Sequence, residues 1–138
     1  MRFRRGAWHL MWTSLAIGIL SVTPAPAHHS FAPYEPTLQI KLSGVVTDFK
    51  WGNPHVYLEV DATDAKTGSK RHWLIECAST SILNRAGWRF NLIKPGDTIA
   101  MIVSPLRNGE PAALLKLMML ADGKKYPNGA AAGSATIE

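Results

Sequence analysis

Between residues 38 and 120 short apolar stretches of strand length alternate with clusters of turn-forming residues, and that rhythm constrains the chain to a small β structure. Residues 38–49 read as a first strand, with Gly44 expected to form a bulge or bend where a sheet must coil. Trp51-Gly52-Asn53-Pro54 is a turn cluster. The stretch 55–60 alternates strictly, which puts Val56, Leu58 and Val60 on one face. Residues 61–70 read as a polar hairpin loop, and 71–77 as the returning strand with Trp73 and Ile75 inward.

Ser79 or Thr80 can cap a short helix through Arg85, and Gly87 suits its C-terminal stop. Beyond the Pro95-Gly96 turn, residues 98–104 and 112–120 supply a fourth and a fifth strand, separated by a turn at 107–110. Three strands, a helix, then two strands is the element order of an OB-fold. The expected fold is therefore mainly β: a small five-stranded OB-fold-like barrel with one short helix between strands 3 and 4. A different small barrel or a sandwich is the rival, because element order alone does not fix pairing.

At 138 residues there is room for one domain. The barrel is expected to span 38–126, after a leader at 1–27 and an extended arm at 28–37, and before a Gly/Ala-rich tail at 127–138 expected to be disordered. The leader has the three parts of a signal peptide. Met1-Arg2-Phe3-Arg4-Arg5 is basic, 8–22 is apolar, and Thr23-Pro24-Ala25-Pro26-Ala27 places small residues at −3 and −1 of a cut after Ala27. The apolar run is shorter than the ~20 residues that span a bilayer, so cleavage, not anchoring, is expected. The mature protein is then periplasmic or secreted, with no stable membrane span.

Charge excludes one class of partner. The formal net charge is +5, yet fifteen basic residues less the three of the leader leave twelve against ten acidic, a net of +2. The rest are scattered, so no nucleic-acid partner is expected. Cys77 is the single cysteine, which rules out an internal disulfide and any CxxC motif, and burial is expected for it. No Gly-rich phosphate loop, nucleophile elbow or HExxH motif occurs, so the protein is expected not to be an enzyme. Met118-Met119 point oppositely on a strand and read as packing rather than a soft-metal site.

Processing after Ala27 would start the mature chain His28-His29-Ser30-Phe31. A free α-amine and the imidazole of the same residue can chelate one metal ion. With His55, set beside a tight turn at an end of the barrel, they would make the nitrogen-rich site that copper(II) favours. The candidate metal ligands are thus His28, His29 and His55, with Glu76 able to add an oxygen. The alternative is that 53–55 merely shapes a turn and the two terminal histidines face solvent. A hairpin symmetric about its loop would pair Val60 with Arg71 and His55 with Glu76, leaving His72 about 13 Å from His55 and outside the site. Trp51, Tyr57 and Glu76 mark a candidate ligand face on strands 2 and 3. The expected function is an exported binding module for copper(II). The alternative is a metal-free accessory module docking an envelope protein or a saccharide on that face. No feature specifies an oligomeric state.

Several strings carry a resemblance. They are His28-His29-Ser30-Phe31 after a leader, Leu42-Ser43-Gly44-Val45-Val46-Thr47, Trp51-Gly52-Asn53-Pro54-His55, Leu83-Asn84-Arg85-Ala86-Gly87-Trp88, Lys94-Pro95-Gly96-Asp97 and Leu120-Ala121-Asp122-Gly123-Lys124. Together they resemble the DUF6152 family of exported bacterial proteins. The resemblance covers the mature chain except its tail and implies export and a small β-barrel, but no activity. Cys77 lies outside its pattern.

Overall fold

The computed structural model describes residues 33–129. Its strands are β1 (Ile40–Lys50), β2 (Tyr57–Asp64), β3 (Lys70–Glu76), β4 (Thr98–Pro105), β5 (Ala112–Leu120) and β6 (Lys125–Pro127), with helix α1 (Thr80–Arg85) between β3 and β4. The hydrogen-bonded order is β3-β2-β1-β4-β5-β6, and a parallel pairing of β3 with β5 closes strands 1–5 into a barrel. The expected OB-fold-like barrel is therefore present. The sixth strand was not expected. It is three residues long and pairs with Leu117–Met119 after the Asp122-Gly123 turn, too short to leave an alternation in sequence.

Period-two burial builds the interior. Leu42 and Val46 of β1, Leu58, Val60 and Ala62 of β2, and Trp73 and Ile75 of β3 all point inward. Ile99, Met101 and Val103 of β4 complete the wall, and Leu83 and Trp88 fill it from α1 and the loop after it. On β5 the period breaks: Val103 pairs with Leu115 but Ile102 with Leu117, so Lys116 is an extra residue. That bulge lets Leu115 and Met118, three apart, both face inward. Cys77 is buried as expected.

Three local expectations are corrected. The bulge of β1 falls between Val46 and Asp48, not at Gly44. Gly44 instead lies opposite Ala62 of β2 and Ile99 of β4, where an added Cβ would stand 2.1 Å from Asp61 O and 2.5 Å from Ala62 Cα. It is needed for close backbone approach. The β2–β3 hairpin is shifted by two residues from the symmetric register, with Val60 opposite Trp73 and Tyr57 opposite Glu76. Its loop is shorter than 61–70 because Asp61–Asp64 stay in β2, and Asp64 Oδ1 then accepts the Lys66 and Thr67 N–H groups to make the turn. Finally, Ser79 occupies the cap position of α1, but its hydroxyl pairs with Ser81 Oγ rather than with a helix amide.

The expected start of a disordered tail at 127 is also corrected. Pro127 O accepts from Trp88 Nε1 at 2.9 Å, and Asn128 bonds two other elements, so the chain is packed through Gly129. Residues 130–138, the leader, His28 and His29 lie outside the described residues. Among the described residues no helix is long and apolar enough to cross a membrane.

Candidate functional site

Cross-strand partners share a face of a sheet, so the register defines a row around the outside of the barrel. Tyr57 lies opposite Glu76, Glu76 opposite Leu114, and Leu114 opposite Ser104. The inner face belongs to their neighbours Leu58, Ile75, Ala113 and Val103. Outward residues of a small barrel normally meet water, but Leu114 and Ser104 are buried. Two segments flank this row. On one side residues 33–35 run antiparallel to 105–107: Tyr34 bridges Leu106, Glu35 N–H donates to Pro105 O, and the Glu35 carboxylate pairs with Arg107 at 3.1 Å. On the other side Asn128 follows β6, its Oδ1 accepting from Ala78 N–H and its Nδ2 donating to Leu115 O.

Between these walls and α1 lies a cleft of about 910 Å³. Glu76 is the polar centre of its lining. Its Oε2 accepts from Tyr34 O–H at 2.5 Å, and its Oε1 lies 2.5 Å from His55 Nδ1. His55 is presented there because it directly follows the Asn53–Pro54 turn, whose peptide bond is cis, while Val56 turns inward and starts the pairing with 77–78. Burial, helped by the adjacent Glu76 carboxylate, pushes the Tyr34 phenol far above its usual value, so it remains a donor. Burial likewise pushes the thiol of Cys77, a core residue next to Glu76, up, so it stays protonated and is a poor nucleophile.

The structure brings His55 and Glu76 together, as the symmetric hairpin suggested, although it does so with Tyr57 directly opposite Glu76. Tyr57 is half-buried with its ring 6.4 Å from that of His55. Trp51 stands apart: it packs edge-on against Phe49 and the core and does not line the cleft. His72 lies on the outer face of β3, bonded to Asp61 Oδ1 at 2.8 Å, away from His55 as expected. Among the described residues no three His, Cys, Asp or Glu side chains converge on one point.

A family model described as a family of unknown function, DUF6152, matches residues 17–115. The chain belongs to the DUF6152 family. No curated protein and no solved structure matches it. In this DUF6152 protein the match takes in Tyr34, His55, Glu76 and Ser104, whereas β6 and Asn128 lie beyond it.

Tyr34, Ser104 and Asn128 are among the cleft residues that the sequence did not single out. Tyr34 had a weak signal, an aromatic residue framed by Pro33 and Pro36. Ser104 has the parity of an outward strand residue and nothing in sequence marks it as buried. Asn128 acts by capping two groups more than a dozen residues away, which no local pattern reveals.

Proposed function

We propose that this protein is an exported, non-catalytic binding module of the periplasm or cell exterior that holds copper(II) through His28, His29 and His55. One observation carries the reading: a single carboxylate, Glu76, anchors both the arm, through Tyr34, and His55. A histidine that ligates a metal commonly gives its other ring nitrogen to a carboxylate, which fixes the ring and strengthens the ligand. Nδ1 is the nitrogen turned to Glu76, so Nε2 is the ligand atom. The arm is fixed at Tyr34, six residues after His28, and six residues reach at most about 20 Å. The terminal nitrogens can therefore return to His55.

Copper titration of protein beginning at His28 tests this. Removing one nitrogen ligand is expected to lower affinity at least about tenfold in His28→Ala and in His55→Ala. A methionine retained before His28 ties up the amine and has the same effect. Imidazole and amine must be neutral to bind, so affinity falls steeply as pH drops and protons compete for these nitrogens. Unchanged affinity in both variants, or a flat profile from pH about 5 to 8, overturns the site. The alternative module, docking an envelope protein or saccharide at Tyr57 and Glu76, draws on the same outward row and predicts no copper dependence.

A further inference from the structure

We infer that the cleft beside Glu76 is a receptor site for a small organic acid, an apolar body carrying one carboxylate. The inference rests on the binding-module reading but not on its metal. The volume, about 910 Å³, falls in the range of sites that enclose small organic ligands. Ile82 of α1, Leu114 of β5, Pro54 and Pro127 give it apolar walls. Its acidic group is already committed, since both oxygens of Glu76 are held by Tyr34 and His55.

Two further features point to an anion. Arg85, in the last turn of α1, and Lys116, the bulged residue of β5, both line the cleft, and among the described residues neither forms an ion pair. The second is independent of charge. Ser104 is fully buried, lines the same cleft, and its Oγ has no hydrogen-bond partner. A buried hydroxyl without a partner costs stability, and a ligand oxygen accepting its proton removes that cost. Leu114, directly opposite Ser104, sits two residues before Lys116, so the hydroxyl and the ammonium belong to one wall. The carboxylate is held by Lys116 and Arg85, and Ser104 donates to an oxygen of the ligand.

Calorimetric titration of EDTA-treated protein with octanoate and 2-naphthoate, against 1-octanol and 2-naphthol as uncharged counterparts, tests the assignment. The acids are expected to bind saturably and at least about tenfold more tightly than the alcohols. Lys116→Gln and Arg85→Gln should each weaken the acids about fivefold or more and leave the alcohols unchanged. Ser104→Ala should move two readouts oppositely, raising thermal stability of the free protein while weakening acid binding. Acids and alcohols of equal affinity, acid binding indifferent to both charge removals, or no saturable binding of either acid overturns the proposal. Paired copper and acid titrations of protein beginning at His28 distinguish the two readings: acid binding without copper binding leaves only this one standing, and copper binding without acid binding leaves only the metal.

Discussion

Two residues on the β1–β2–β3 wall show how local geometry sets energetics. Gly44 is required by contact, not by torsion: it carries no positive φ, but a Cβ there would enter the backbone of Asp61 and Ala62. Backbone cannot swing aside as a flexible side chain can. Gly44→Ala should therefore cost about 3 kcal/mol or more, measured by denaturant unfolding, and an alanine variant of wild-type stability would refute the close approach. His72 is the second case. Its hydrogen bond to Asp61, with a weaker one to Glu59, holds the imidazole above its ordinary value of 6.5. The folded value exceeds the unfolded one, so this pairing adds stability below pH about 6.5 and loses it as pH rises through the folded value. An NMR titration should give His72 a midpoint above that of an unstructured histidine, and Asp61→Asn should bring it down. The residue is exposed, so the effect on unfolding itself is small.

At the scale of elements, the short pieces at the chain's ends are held by side chains more than by their own ladders. β6 has three residues, and the segment that follows it is fastened through Asn128, which satisfies Ala78 N–H before α1 and Leu115 O on β5. Asn128→Ala leaves both groups without that partner and should cost about 1–3 kcal/mol by thermal or chemical unfolding. A neutral result would mean that water replaces the amide. The arm is fastened the same way, by Tyr34 on Glu76 and Arg107 on Glu35. The element with least outside support is α1, six residues with no side-chain cap bond, held through Leu83 in the core.

For the whole molecule the decisive event is closure. β1 joins both halves, pairing with β2 along 42–50 and with β4 along 40–45, and its bulge near Thr47 turns the strand between them. The barrel then closes through only three parallel residue pairs, Leu74–Glu76 with Ala112–Leu114. Short parallel pairing between segments far apart in sequence is the weakest seam such a barrel has. Hydrogen exchange should accordingly be faster at Leu74, whose N–H is held by Pro111 O, than at the β1–β2 pairing. Equal protection throughout would show the seam to be as firm as the rest. The cleft lies over this seam, so its occupant would tie β3 to β5 from outside.

The amino-acid order by itself determined the strands, the inward faces and the short helix, because alternation and turn chemistry act over a few residues. Val56, Leu58 and Val60 are buried and 112–120 is a strand for reasons that can be read within those stretches. It also singled out His55 and Glu76, since both lie at the hairpin end remote from its loop and the two-residue shift of register keeps them on the same face. Only tertiary structure decided the two-residue shift of that hairpin, the bulges near Thr47 and at Lys116, the sixth strand, and the covering of an outward row by the arm and Asn128. Those depend on contacts such as Tyr34 with Glu76, 42 residues apart, and Ala78 with Asn128, 50 apart. Their energies are set by what the closed barrel places side by side, and no local pattern encodes that.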